Sequence, residues 1–225
     1  MIPWEFIDSA KIPGNSDEMR LYKRGDEFSI RVGNCELMNS RVYGSEDALG
    51  EMTSAKVAKH PSPRLLIGGL GMGYTVAAAL KRLRADAKIV VAELVPTVVQ
   101  WNRGPLAHLA GHPLDDRRVT VREIDVAEIL RSEKLAYDAI MLDVDNGPEG
   151  LTRKRNDWLY TPEGLKAAKA ALRPEGVLAV WSSSSDNAFV RRLKQAGFKV
   201  EEVSVRARGT RGGAHYTIWF ATHAS

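Results

Sequence analysis

The chain has a single cysteine, Cys35, among 225 residues. One thiol cannot close an internal disulfide, which excludes the disulfide-stapled secreted folds and points to a reducing, cytoplasmic setting. Long apolar runs are lacking too. Each hydrophobic stretch is short and ends in charge, glycine or proline, so neither a membrane span nor a membrane partner is expected. The opening Met1-Ile2-Pro3-Trp4-Glu5 has no basic start and no apolar stretch, and a secretory leader is not expected. No internal repeat is present, and the one low-complexity tract is Ser182 to Ser185.

With 44% hydrophobic and 27% charged residues, the composition fits a soluble globular chain of one α/β domain plus a short appendage. The formal charge of +4 is too small to demand a polyanionic partner. Two basic clusters stand out, Arg153-Lys154-Arg155 and Arg206, Arg208 and Arg211. They read either as solvated loops or as an RNA-facing rim. No aromatic residues interleave with them, so nucleic acid is not the expected partner.

The first sixty residues differ from the rest. Phe28-Ser29-Ile30-Arg31-Val32 alternates apolar and polar, Gly33-Asn34 is a two-residue turn, and Glu36-Leu37-Met38 can return as a second strand. Ser45 to Lys59 then reads as a helix with Ser45 as its N-cap, ended by His60-Pro61-Ser62-Pro63. Residues 1–60 are thus expected to form a small β-hairpin appendage and a helix, and residues 61–225 the catalytic domain.

From Arg64 onward, short apolar runs alternate with amphipathic stretches. The runs are 65–67, 89–91, 119–121, 139–142 and 177–180, rich in branched residues and without alternation, as strands buried on both faces require. Helices are expected near 74–84, 96–110, 126–132, 162–172 and 187–196. Strands at 199–205 and 216–222 follow with no helix between them. The expected fold is a Rossmann-like, doubly wound, mostly parallel seven-stranded sheet ending in an antiparallel hairpin. Nicotinamide dehydrogenases keep alternating strands with helices at this point, whereas Rossmann-like methyltransferases end this way.

The first apolar run leads into Gly68-Gly69-Leu70-Gly71-Met72-Gly73, and a helix follows at once. Such a turn lets a ligand approach main-chain amides with no Cβ in the way. Counted from Gly69, the last position of G-x-G-x-x-G falls on Tyr74, which weighs against a nicotinamide cofactor. Glu93 ends the second strand, where a carboxylate can accept from two ribose hydroxyls. Asp125, followed by Val126, ends the third; it can accept from an adenine amino group, cap the next helix, or do both. Asp143 ends the central strand and faces the crevice in which such sheets bind ligands. Four features at successive strand tips point to an adenosine-type site.

These residues resemble the spermidine synthase-like family, the polyamine aminopropyltransferases built on the class I S-adenosylmethionine-dependent methyltransferase fold. The resemblance spans most of the chain. It matches the family's glycine-rich loop to Gly68–Gly73, its ribose acid to Glu93 and its adenine-side acid to Asp125. The family's D-S-S-D-P-x-G-P segment matches Asp143-Val144-Asp145-Asn146-Gly147-Pro148, and its base falls on Asp143. Leu159-Tyr160-Thr161 resembles the segment that follows, which makes Tyr160 either a residue that positions the acceptor or a core aromatic at a helix entry. Asn156 and Asp157 precede it at the same mouth.

The acceptor side departs from the family. The second acid of D-S-S-D is Asn146, with Asp145 beside it; the family's Y-x-E-M reads Leu49-Gly50-Glu51-Met52; a second family tyrosine falls near Arg211. The donor implied is S-adenosylmethionine or its decarboxylated form. The departures favour methyl transfer to a neutral or anionic small molecule anchored by Arg153 and Arg211, beside Asp145 and Asn146. Aminopropyl transfer to a polyamine is the alternative, and a non-catalytic nucleoside- or RNA-binding module a further one. A homodimer is possible. No metal is expected: His108 and His112 lie four apart at a helix end, with no acid placed to complete a site. Cys35 has no evident histidine partner, and Trp158 and Trp181 read as packing residues.

Overall fold

The computed structural model describes residues 2–14, 17–144 and 156–223; of Asn156, Asp157 and Arg211 it describes the backbone alone. Four strands come first: β1 (Glu5–Lys11), β2 (Glu18–Arg24), β3 (Glu27–Val32) and β4 (Cys35–Asn39). Helix α1 (Gly44–Val57) leads to an alternating series: β5 (Arg64–Gly68), α2 (Tyr74–Arg82), β6 (Lys88–Glu93), α3 (Pro96–Arg103), β7 (Val119–Glu123), α4 (Val126–Ser132) and β8 (Tyr137–Leu142). The second half continues with α5 (Pro162–Ala171), β9 (Leu172–Ser182), α6 (Asn187–Gln195), β10 (Phe198–Arg206) and β11 (His215–His223).

The seven-stranded sheet has the order β10-β11-β9-β8-β5-β6-β7. Strands β5 to β9 run parallel, and β11 and β10 add antiparallel at one edge. The chain winds outward from β5 through β6 to β7, then crosses back to β8 on the other side of β5. The crevice beyond the carboxyl ends of β5 and β8 is therefore the switch point at which open α/β sheets bind ligands.

Side-chain alternation explains why the central strands look uniformly apolar. Leu65, Ile67, Ile89, Val91, Ala139 and Met141 enter one core with Leu49, Val76 and Trp101 from α1, α2 and α3. Leu66, Val90, Ile140, Leu142, Leu178 and Trp219 enter the other, against Ile129, Leu165, Phe189 and Leu193 from α4, α5 and α6. Each buried leucine or isoleucine contributes about 1.5–3 kcal/mol of transfer free energy, so a polar residue on either face would be costly. At the amino end of β8, opposite the crevice, buried Asp138 accepts hydrogen bonds from the Arg64 amide and the Arg173 guanidinium, each at 2.8 Å.

Three expectations need correction. The N-terminal appendage is an antiparallel sheet of four strands, β1-β2-β3-β4, larger than a hairpin. The predicted hairpin is its second half, with Val32 opposite Cys35 across the turn. Its inner face, with Leu21, Phe28 and Ile30, joins the core above β5 and β6, and Trp101 of α3 donates to Asp8 of β1 at 2.8 Å. Ser45 does not cap α1. The helix starts at Gly44, whose amide donates to the Ala207 carbonyl at 2.8 Å, and the Ser45 hydroxyl donates to the Glu46 carboxylate. Helix α3 ends at Arg103 rather than 110, because Gly104 breaks it and Ala107–Ala110 forms a separate 3-10 turn.

Candidate active site

The switch-point crevice holds a cavity of about 180 Å³. Its floor is the turn after β5, its walls are the tips of β6, β7 and β8, and its roof is Met19, Ile30, Leu37 and Met38 of the N-terminal sheet. Glu46 of α1 and Trp181 of β9 close the far side. Among the described residues the wall carries four carboxylates, Glu46, Glu93, Asp125 and Asp143, and no lysine, arginine or histidine.

The glycine turn is shaped by its neighbours. Gly69 has φ +92°, and a Cβ there would run into the Asp143 carbonyl. Its amide donates to the Ala92 carbonyl at 2.9 Å, and the Asp143 amide donates to the Gly68 carbonyl at 2.9 Å. The turn after β5 and the tip of β8 are thereby fixed to each other. Gly68 lies under Val126, where a Cβ would stand 2.9 Å from a valine methyl. Gly73 precedes α2 and faces Asn102 and Pro113. Asn102 donates to the Gly71 carbonyl at 2.8 Å and holds the turn against α3. Gly69 and Gly71 border the cavity; Gly68 and Gly73 shape the turn from behind.

Glu93 is 8% exposed. One carboxylate oxygen accepts from the Leu70 amide at 2.9 Å and the other from the Val95 amide at 2.8 Å. These bonds fix the side chain in one orientation at the cavity wall. Asp125 caps α4, accepting from the Ala127 amide at 2.8 Å, and it also borders the cavity with Val126. Asp143 accepts from the Thr75 hydroxyl at 2.7 Å. Burial pushes its carboxyl up to about 6.

Tyr160 lies elsewhere. It is 4% exposed, packs edge-on against Phe189 and donates to the Val144 carbonyl at 3.2 Å. It is not among the described residues that line the cavity, and its hydroxyl bonds the backbone next to Asp143. Asp145, Asn146 and Arg153 lie outside the described residues. Arg211 falls on the 3-10 turn Gly209–Arg211 between β10 and β11, with only its backbone described.

Of Leu49-Gly50-Glu51-Met52, no side chain borders the cavity: Leu49 is fully buried in the core and Glu51 pairs with Arg82 at 2.9 Å on the surface. The carboxylate that α1 does bring to the site is Glu46, which was not among the residues selected from sequence. Burial, with the Asp143 charge second, pushes it up to about 7. Trp181, read from the sequence as a packing residue, packs against Tyr216 with centroids 5.0 Å apart and also lines the cavity. Trp158 stacks under the Arg131 guanidinium at 3.9 Å, and His108 packs edge-on against Phe28.

A family model, the spermine/spermidine synthase domain, matches residues 50–203. The chain belongs to that family. Spermine/spermidine synthases are enzymes, and membership places the chain among transferases that use an S-adenosylmethionine-type donor. Solved structures show the same fold. A spermidine synthase from Thermotoga maritima superposes with a TM-score of 0.75 at 19% identity, covering 97% of this chain and 73% of that one. A spermidine synthase bound to the transition-state analogue AdoDATO gives 0.74 at 19% identity, covering 97% and 72%. A Klebsiella pneumoniae protein assigned as an O-methyltransferase gives 0.52 at 23% identity and 80% of each chain. Comparison with curated proteins by sequence gives no match. Among the described residues no helix is long and apolar enough to cross a membrane.

Proposed function

We propose that the chain transfers an aminopropyl group from decarboxylated S-adenosylmethionine to a primary amine of a polyamine precursor. One observation carries this reading: among the described residues the cavity wall has four carboxylates and no cation. Intact S-adenosylmethionine brings a carboxylate of its own. Each like-charge contact near 4 Å is worth roughly 1–4 kcal/mol of repulsion, depending on the local dielectric. The decarboxylated donor keeps its sulfonium and ammonium without that carboxylate, and the amine acceptor is also cationic, so the wall carboxylates attract both. Methyl transfer to a neutral or anionic acceptor, favoured by the sequence departures, is the weaker reading for the same reason.

The turn at Gly69 and Gly71 gives the donor close approach to main-chain amides, Glu93 accepts from the ribose hydroxyls, and Asp125 and Val126 border the adenine. A bound sulfonium donor supplies an electrophilic carbon whose C–S bond breaks to a neutral thioether. Asp143 takes the proton that the attacking amine must lose as the C–N bond forms, and the Thr75 hydroxyl holds its carboxylate toward the cavity. Asp145, next in the same loop, is proposed to flank the acceptor with Asn146, and Arg153 and Arg211 to stand at the outer mouth. No step calls for a metal.

The test is release of methylthioadenosine from decarboxylated S-adenosylmethionine in the presence of putrescine. Turnover with the decarboxylated donor and none with the intact one is expected. A methylated product formed from the intact donor alone would overturn the assignment.

A further inference from the structure

Glu46 sits in the first turn of α1, and its position does not depend on that helix alone. The α1 start is pinned from the far end of the chain: the Gly44 amide bonds to the Ala207 carbonyl, and the Gly44 backbone packs against Arg208 and Gly209. The Glu46 side chain is thereby presented to the cavity across from Asp143. Thr75 of α2 lies between them, within 2.7 Å of the Asp143 carboxylate and 3.4 Å of the Glu46 carbonyl.

The groups facing Glu46 are acidic or aromatic. Asp143 comes from the β8 tip and Asp47 from the same turn of α1; Tyr74 of α2, stacked on Tyr43 at 4.2 Å, and Tyr216 of β11 feel its charge. Among the described residues the cation acting nearby is Lys81, which acts on Asp47. Trp181 continues the wall and packs on Tyr216. Two carboxylates backed by aromatic faces, with no cation on the wall among the described residues, make a receptor for an alkylammonium group.

We propose that Glu46 and Asp143 act as one carboxylate pair that clamps the ammonium of the acceptor, with Glu46 as the residue that selects a cationic acceptor. The assignment rests on the transfer reading above. It gives the acceptor side a carboxylate where the family's segment has lost one at Asn146. In the unliganded pocket the Asp143 charge adds to burial in disfavouring ionisation of Glu46. Burial pushes both groups up, Glu46 to about 7 and Asp143 to about 6, so an arriving ammonium displaces a proton. Amine affinity should then rise with pH between about 5.5 and 8.

The experiment is calorimetry of putrescine binding to the protein loaded with methylthioadenosine, for wild type, Glu46→Gln and Glu46→Asp. Methylthioadenosine affinity reports whether each variant folds and keeps its nucleoside side. Glu46→Gln should bind putrescine about tenfold or more weakly, with methylthioadenosine binding within twofold of wild type and the pH dependence flattened. Glu46→Asp should recover part of the loss. Equal putrescine affinity in wild type and Glu46→Gln would sink this assignment and leave the transfer reading standing. A wild-type protein that binds methylthioadenosine but no amine would sink both.

Discussion

Glu93 is held at both oxygens by the amides of Leu70 and Val95, so its side chain organises the glycine turn as well as bordering the cavity. Glu93→Ala should lower methylthioadenosine affinity by at least about tenfold in calorimetry. It removes the proposed ribose acceptor and leaves two buried amides unpaired, each worth about 1–3 kcal/mol. Unchanged binding would displace the nucleoside site. Asp143→Asn keeps the shape but cannot take a proton, and kcat should fall by about 10²–10⁴ while methylthioadenosine binding persists. Tyr160→Phe provides the contrast. Among the described residues the phenol donates to the Val144 carbonyl, the ring packs on Phe189, and Tyr160 does not line the cavity. Its loss should cost about 1 kcal/mol of stability in urea unfolding and change the KM for amine less than threefold. A large KM effect would return Tyr160 to the acceptor site.

At the level of elements, legibility followed burial. Strands β5, β6, β8 and β9 are apolar through most of their length because helices cover both faces, and short branched runs betray such strands. The run 119–121, expected to be buried on both faces, is instead the edge strand β7, which exposes Thr120 and Glu123. β1 and β2 escaped notice because they are half-exposed and charged; in β2 only the alternation of Met19 and Leu21 with Glu18 and Arg20 marks a covered face. The strand tips Glu93, Asp125 and Asp143 were legible because β/α alternation fixes which residues end each strand at the crevice. Glu46 was not. Glu46 and Glu51 are five residues apart, which is about 140° around a helix, so only one of them can face the cavity. Sequence could not say which, because the choice is made by the turn between β10 and β11 packing on Gly44. A Cβ on Gly44 would collide with the Gly209 backbone. Gly44→Ala should therefore destabilise the fold by roughly 1–3 kcal/mol in urea unfolding. It should also raise the KM for amine more than the Kd for methylthioadenosine, since it moves α1 and not the glycine turn. A neutral substitution would show that the turn between β10 and β11 does not position the helix.

For the whole molecule, the chain is mildly basic at +4, yet its central cavity gathers acids without a neutralising cation among the described residues. An unliganded site of this kind works against folding, and the sign follows from the two carboxyls. Glu46 is raised from 4.5 to about 7 and Asp143 from 3.8 to about 6, so between those values the folded state binds more protons than the unfolded chain. Their contribution is most favourable below about pH 4, falls as pH rises to about 7, and is constant above. Carboxyls held low by partners, such as Asp116 at about 2 beside Arg118, oppose this trend only in more acidic solution. The unliganded protein should thus melt higher at pH 5 than at pH 8. Glu46→Gln removes the larger raised carboxyl, so it should stabilise the protein on the order of 1–3 kcal/mol at pH 8 and much less at pH 5. At this chain length that is a rise of about 2–12 °C in Tm at the higher pH. The same variant is the one expected to lose amine affinity, and a substitution that stabilises the empty protein while weakening its ligand marks a residue kept for binding rather than for folding. A Glu46→Gln protein no more stable than wild type at pH 8 would mean that the carboxylate is solvated in the cavity, and proton displacement by the amine would fail with it.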